Sequence, residues 1–232
     1  MNAPVSTQLV AITGGSASGK TWLADRLHSL LGANAGRLRQ DDFYRDLSQV
    51  PPSRRGLVNF DHPNALDWPC FEEVLRNTLA GRPSCLPTYD FRTHCRVAGS
   101  APVRPAPVVI VDGLWLLHRP ALRRLFHCRI FLNCPEEERL RRRIARDTAE
   151  RGRTEADCRR QFSATVAPMH FRFVDPQARW ADLVLNFPHA PAELEELHHS
   201  LRRLLRGGAR ISDRVRETFR AGLPSNPRLI PA

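Results

Sequence analysis

Lysine is almost missing from this chain. Of its 35 basic residues, Lys20 alone is lysine and the rest are arginine, among 232 residues in all. A coding bias toward arginine, alanine and proline could empty a chain of lysine by drift, but drift does not account for the one that stays. Also missing is any stretch able to cross a bilayer. The longest apolar run, residues 108–117, is broken by Asp112 and falls well short of the roughly 20 residues a spanning helix needs. The opening MNAPVSTQ has no basic region leading into an apolar one, so the expectation is a cytoplasmic protein with no membrane attachment. The six cysteines (Cys70, Cys85, Cys95, Cys128, Cys134, Cys158) form no C-x-x-C pair, and the nine histidines show no H-x-x-x-H spacing. Neither a zinc site nor a redox couple is expected, and the cysteines read mostly as small packing residues in a reducing compartment.

A chain of this length with 42% hydrophobic residues can bury a proper core. The expectation is one domain over residues 1–206, carrying insertions, and a C-terminal tail over 207–232, loosely held or forming a short helix (211–220) on a partner subunit. A net charge of +11 attracts polyanions, so nucleic acid has to be weighed beside nucleotides and phosphates. The charge is concentrated: Arg139, Arg141, Arg142, Arg143, Arg146, Arg151 and Arg153 form one cluster, and Arg202, Arg203, Arg206 and Arg210 a second.

Residues 8–13 (QLVAIT) are short, apolar and β-branched, which predicts a buried strand, and Leu23, Leu27, Leu30 and Leu31 recur at helical spacing over residues 20–31. A second strand is predicted at 37–40. Asp67 is placed to cap a helix whose Phe71, Val74, Leu75 and Leu79 share a face, with Gly81 just past its end. Residues 86–96 (LPTYDFRTHCR) alternate and suit an exposed hairpin, whereas 97–107 (VAGSAPVRPAP) read as a proline-rich connector outside any regular element. Further strands are predicted at 108–111, 129–132 and 182–185, with helices from Pro135 to about Asp147 and from Pro191 to about Leu205. Strands apolar on both faces and separated by helices predict an α/β fold with a central parallel sheet covered on both sides.

Between the first strand and first helix stands Gly14-Gly15-Ser16-Ala17-Ser18-Gly19-Lys20-Thr21. This G-x-x-x-x-G-K-T spacing, in that context, is the pattern of a phosphate-binding loop rather than a glycine-rich turn with an incidental GKT. Successive backbone N–H groups must point at phosphate oxygens in conformations a Cβ would obstruct, and the helix start adds its dipole. Lys20 is expected to reach the β and γ phosphates and Thr21 to offer its hydroxyl to Mg²⁺. A compact ammonium fits among tetrahedral oxygens better than a wide planar guanidinium, which gives the lone lysine a physical reason to persist.

Asp112 and Asp41 fall at the C-terminal ends of predicted strands, where open α/β sheets collect ligands. Asp112 is a candidate metal-holding acid, and Asp41 a candidate to orient a substrate hydroxyl and take its proton. On a 3.6-residue period Arg139, Arg143 and Arg146 share one face of their helix and Leu140 and Ile144 another, so the leucine side is expected to be buried and the guanidinium groups presented. Gly152 allows a turn that would put Arg151 and Arg153 on a lid. Arginines converging on a transferring phosphate stabilise its spreading charge; the plainer alternative is a solvated basic face.

Taken in order, GGSASGKT, QDDFYR (40–45), NFDHPNALDW (59–68), PTYDFRTHCR (87–96), VVIVDG (108–113), RLRRRIARDTAERGR (139–153) and VAPMHFRFVDPQARWADLVL (166–185) resemble the uridine kinase (uridine-cytidine kinase) family of P-loop kinases over about residues 8–186. The resemblance implies a three-layer α/β/α P-loop kinase, with a small β-hairpin insertion near 85–97 that binds substrate and an arginine-rich lid near 139–162. It implies ATP or GTP as phosphate donor with Mg²⁺, phosphorylation of the 5′-hydroxyl of uridine and cytidine in pyrimidine salvage, and a homo-oligomer, with no nucleic-acid or membrane partner. Asp41 looks like the catalytic base, helped by Lys20, Arg146 and Arg151. Tyr44, Asp61, Tyr89, Phe91, His94, Arg143, Arg146, Arg153 and Gln161 look like nucleoside contacts, and Thr21, Asp41 and Asp112 like the Mg²⁺ environment. The family usually has Glu where this chain has Asp112. A related kinase acting on another nucleoside or on a sugar phosphate, and a non-enzymatic nucleic-acid or nucleotide-binding regulator, are the competing readings.

Overall fold

The computed structural model of the chain describes residues 7–103, 106–188 and 191–205. Residues 8–12 of the first strand, β1 (Gln8–Gly14), are buried on both faces from Leu9 onward: Leu9 and Ala11 pack into one hydrophobic cluster, Val10 and Ile12 into another. This explains an uninterrupted apolar run where a half-exposed strand would alternate. After it come α1 (Lys20–Leu31), β2 (Ala35–Arg39), the single turn α2 (Pro52–Arg55) and α3 (Trp68–Leu79). Asp67 caps α3 by accepting from the Cys70 amide at 3.2 Å, as its position predicts. The hairpin β3 (Ser84–Asp90) and β4 (Cys95–Val103) precedes β5 (Val108–Gly113), the turn α4 (Pro120–Arg123) and β6 (Cys128–Asn133). Then follow α5 (Glu136–Glu150), α6 (Glu155–Gln161), wider helical turns over 162–174 that include α7 (Ala167–Met169), β7 (Leu183–Asn186) and α8 (Pro191–Leu205).

Five strands form one parallel sheet in the order β2-β5-β1-β6-β7. One face carries the larger core with Phe43, Leu66, Phe71, Leu75 and Trp115; the other is covered by Leu23, Leu27 and Leu31 of α1 and Leu197 and Leu201 of α8. The expected α/β architecture with a central parallel sheet is what the chain forms. Because β1, β2 and β5 end side by side, Gly14, Asp41 and Asp112 are delivered to the same rim of the sheet.

Three expectations need correction. The stretch 97–107 is not a connector throughout: β4 continues to Val103, pairing Ala101 with Leu86, Pro102 with Cys85 and Val103 with Ser84. Proline is tolerated there because a two-stranded ribbon is all edge, and the register shift between Leu86 and Thr88 accommodates Pro87. The hairpin therefore spans 84–103 rather than 85–97. On α5 the buried residues are Arg139, Arg143 and Asp147, while Leu140 and Ile144 are only half-buried, so the arginine face and not the leucine face is turned inward. A buried carboxylate on that same face, Asp147, offsets the burial of Arg143, while Arg139 donates to the Cys134 carbonyl at 3.2 Å and lies over the Phe162 ring. The second strand starts earlier than predicted, at Ala35, and Gln40 already belongs to the following turn. The predicted tail, 207–232, lies outside the described residues.

Candidate active site

The loop from Gly14 to Lys20 wraps around what a side chain would fill. At Gly14 (φ +149°) an added Cβ would stand 2.6 Å from the Leu132 carbonyl oxygen, and Gly19 (φ +99°) opens α1 in a left-handed conformation. Ala17 holds φ +61° despite its Cβ, strain of the order of 1 kcal/mol of the kind that collects at functional sites. The buried Ser18 hydroxyl oxygen has no protein partner. A glycine-rich loop at a helix start, with no Cβ at Gly14, Gly15 and Gly19, fits the phosphates of a nucleotide.

Lys20 is 9% exposed, and its ammonium donates to the Gly15 carbonyl at 2.7 Å. Burial pulls its pKa down to about 8, with Asp41 and Asp112 holding it up. Asp112 is buried at the end of β5, where its Oδ2 accepts the Thr21 hydroxyl at 2.9 Å and its Oδ1 accepts from Arg37 at 2.8 Å. With its proton given to Asp112, Thr21 keeps hydroxyl lone pairs for a metal ion. Donors here are hard oxygens only, which suits Mg²⁺ completing its shell with phosphate and water. Among the described residues no cluster of three His, Cys, Asp or Glu forms a self-contained metal cage.

Asp41 sits on a tight 3₁₀ turn, Gln40–Phe43, anchored at both ends: Phe43 is fully buried, and Gln40 accepts the Trp115 amide at 2.9 Å through Oε1. Burial raises the Asp41 pKa, opposed first by Lys20. Its neighbour Asp42 is also raised, to about 6, by burial, but answers mainly to Arg39. Of the two acids, Asp41 is the one sharing its field with Lys20, Arg151 and Arg146.

Beyond Asp41 the cavity becomes aromatic. Tyr44 donates its hydroxyl to the Phe60 carbonyl at 3.0 Å and lies 5.4 Å from the Tyr89 ring and 6.4 Å from Phe91, both on the hairpin. His94 adopts φ +56° at the hairpin turn and stacks on Phe60, with centroids 4.5 Å apart and planes 14° from parallel. Burial and the nearby Arg153 and Arg151 lower its pKa, and its Nδ1 is buried without a partner. Arg55 fastens this turn through the Thr93, Ser48 and Val50 carbonyls. Asp61 is 9% exposed; burial raises its pKa, and Arg143 is the leading opposing charge.

The arginine array closes the cavity over the loop. Arg143 donates to Ser16 Oγ at 2.8 Å and to Gln161 Oε1 at 2.9 Å, and Arg153 also reaches Gln161. The fully buried Asp147 binds Arg146 at 2.8 Å, Arg143 at 3.4 Å and Arg151 at 3.5 Å, with Arg153 at 4.0 Å. Arg151 lies over the Phe91 ring, 4.9 Å from its centroid, tying the array to the hairpin. Loop, acids, aromatic slot and arginines thus line one cavity of about 1520 Å³; of the expected catalytic, nucleotide, nucleoside and metal residues all border it except Gly14 and Gly15, and of the arginine cluster Arg139 and Arg141 stay outside it.

Sequence reasoning missed several contributors. Asp147 was legible in principle, since it stands four residues from both Arg143 and Arg151, the spacing of helical ion pairs. Phe60, adjacent to Asp61, and Arg55 carried no spacing signal. Gln177, which bridges the Leu117 amide and the Leu114 and Phe173 carbonyls behind the site, is visible only in three dimensions.

Comparison with known proteins gives a consistent result. The model of the phosphoribulokinase/uridine kinase family matches residues 9–194. The uridine kinase of Deinococcus deserti is 39% identical over 190 residues, covering 82% of this chain and 91% of that protein. The uridine kinase of Chloroflexus aggregans is 40% identical over 177 residues, 76% of this chain and 85% of the relative. Among solved structures, D-glycerate 3-kinase from Cryptococcus neoformans superposes with a TM-score of 0.60 at 17% identity, over 82% of this chain and 90% of that one. Phosphoribulokinase from Rhodobacter spheroides gives 0.58 at 18% identity, over 78% and 70%. At such identities these structures speak to the shared fold alone.

Proposed function

This chain belongs to the phosphoribulokinase/uridine kinase family, and on that premise we propose that it transfers the γ-phosphoryl group of ATP or GTP to the 5′-hydroxyl of uridine, and of cytidine, giving the monophosphates for pyrimidine salvage. The observation that carries this reading is the position of Asp41 within a single cavity, with Lys20 and the phosphate loop on one side and the Tyr44, Phe60, Tyr89, Phe91 and His94 slot on the other. A flat, uncharged base suits an aromatic slot with one polar reader, His94. A sugar hydroxyl needs positioning more than activation, so a buried carboxylate at the junction is the useful group.

In the transfer, the 5′-oxygen bonds to the γ-phosphorus, the bond to the β–γ bridging oxygen breaks, and the hydroxyl proton passes to Asp41. Lys20 holds the β and γ oxygens, and Arg146 and Arg151 meet the charge that spreads over the moving group. Asp61 takes ribose hydroxyls, while Arg143, Arg153 and Gln161 close over the substrate. Thr21 and Asp112, with Asp41 nearby, would hold Mg²⁺, which when bound neutralises phosphate charge.

The test is a panel of acceptors supplied with ATP and Mg²⁺. Phosphorylation of uridine and cytidine is expected; phosphorylation of ribulose 5-phosphate but not of either nucleoside would overturn the reading. Asp41→Asn is expected to abolish transfer while ATP still binds, and retained transfer would remove Asp41 from the role of base.

A further inference from the structure

Asp112 is one methylene shorter than a glutamate, yet its carboxylate is fixed at both oxygens. Oδ2 accepts from Thr21 at 2.9 Å, and Oδ1 accepts from Arg37 Nη1 at 2.8 Å. The other donors of the same guanidinium, Nε and Nη2, reach Asp25 Oδ1 at 3.1 and 2.9 Å. The strand register explains why these residues meet. Arg39 pairs with Asp112 and Arg37 with Ile110, and Val108, Ile110 and Asp112 alternate onto the face of the sheet that α1 covers. Thr21 and Asp25, four residues apart, bring one face of α1 to the same place. The result is a polar string, Asp25–Arg37–Asp112–Thr21, running from solvent to the phosphate loop. Thr21 and Asp112 border the cavity, and Arg37 approaches Asp112 from outside its lining.

The two ends of the string differ. Asp25 is 57% exposed, so its ion pair is worth little; Asp112 is 7% exposed and Arg37 15%, so theirs is shielded from water. Left with one partner, a buried carboxylate on a short stem could turn about its χ angles and lose its alignment with Thr21. A guanidinium already held by a second acid prevents that turn.

We infer that Arg37 is a positioning residue for the metal site: it locks the Asp112 carboxylate so that, with Thr21, it presents a fixed oxygen pair to nucleotide-bound Mg²⁺. The pairing makes a short acid serviceable at the end of β5. This inference rests on the assignment of Mg²⁺ to Thr21 and Asp112, and not on which acceptor is phosphorylated.

Nucleotide binding can be measured without turnover, which separates the two. Calorimetric titration of the full-length chain with ADP, in EDTA and then over a series of Mg²⁺ concentrations, yields the Mg²⁺ half-saturation for nucleotide binding. Arg37→Met is expected to raise it about tenfold, the low end of effects seen when the partner of a metal ligand is removed, while ADP affinity in EDTA stays within about twofold. Asp25→Asn should leave it within about twofold. The double variant Arg37→Met with Asp112→Glu should recover most of the loss, because the longer acid reaches the metal without being held from behind. An unchanged half-saturation in Arg37→Met overturns the inference, as does failure of the double variant to recover. Should Arg37→Met not fold, as judged by circular dichroism, Arg37→Lys reads the same quantity, since one ammonium cannot span both acids; a wild-type value there is equally fatal. A wild-type chain that fails to phosphorylate uridine while its ADP binding responds to Mg²⁺ would count against the acceptor assignment alone.

Discussion

Arg143 donates to Ser16 Oγ at 2.8 Å, a bond between residues 127 positions apart that fastens the arginine helix to the phosphate loop. The same guanidinium reaches Gln161 and Asp147. One buried side chain therefore couples the phosphate loop to α5 and to the end of α6.

Arg143→Gln should accordingly impair more than substrate affinity. Arg143 also holds Ser16 and shares Asp147 with Arg146 and Arg151, so its loss disturbs the preorganised charges proposed to meet the transferring phosphate, and losing one such contact typically costs about 10²-fold to 10³-fold in turnover. The expected outcome is a fall of about 10²-fold in kcat together with a higher KM for uridine, measured by coupled assay. A change in KM alone would mean that Arg143 contacts the nucleoside and contributes nothing to transfer.

Lys20 offers a titration test. Its pKa stands near 8, lowered by burial, so at pH 8.5 much of the empty protein carries it neutral. Phosphate oxygens favour the charged form, and nucleotide binding should return the proton. ADP binding at pH 8.5 should take up protons, seen as a binding enthalpy that varies with the ionisation enthalpy of the buffer, and the uptake should fade toward pH 6.5. Lys20→Arg should abolish this uptake and slow transfer despite keeping the charge; a wild-type rate would refute the argument that a compact ammonium is needed there.

Asp147 should be the weak point toward acid. It is fully buried among four arginines, whose charges and hydrogen bonds hold its pKa below the usual carboxylate value against the opposing effect of burial. A carboxyl whose pKa is depressed on folding stabilises the protein above its unfolded pKa of about 3.9, and that contribution is lost as pH falls through the lower folded value. Asp147→Asn leaves the arginines facing one another and should destabilise the protein by about 3 kcal/mol at pH 7. Its deficit relative to wild type should shrink below about pH 4, checked by urea unfolding at several pH values.

The parallel sheet was legible because the central strands are apolar on both faces and those at residues 8–13 and 129–132 are followed by a helical period, so residues 8–13 and 108–111 could be placed from local pattern alone. The phosphate loop was legible because backbone geometry leaves few alternatives to glycine there. Residues 97–107 misled because proline counts against strands in general but not at the edge of a ribbon. The arginine helix misled because hydrophobic periodicity assumes that charge seeks water. Asp147 reverses that assumption by giving buried guanidinium groups a counter-ion on their own helix face. Arg37 was invisible for a related reason: its partners lie on α1 and β5, and only the register that sets Arg37 against Ile110 brings them together.

His94 supplies the last test. It is held by its stack on Phe60 and by Arg55 bracing the turn, and its pKa is lowered by burial and by Arg153 and Arg151. The ring is therefore held neutral at neutral pH, and can offer one N–H and one lone pair to the edge of a pyrimidine. With the lowered pKa, kcat/KM for uridine should stay level across the neutral range as far as this group is concerned, and protonation should cost affinity only at more acid pH than for an ordinary histidine. His94→Ala removes both the reader and the wall stacked on Phe60, and should raise KM for uridine by about 10-fold to 100-fold, the worth of one buried hydrogen bond plus aromatic packing. His94→Phe keeps the wall and loses the reader, so it should lose less affinity than Ala while narrowing the difference between uridine and cytidine. Equal losses in the two variants would locate all of the affinity in the polar contact; no loss in either would remove His94 from the nucleoside site.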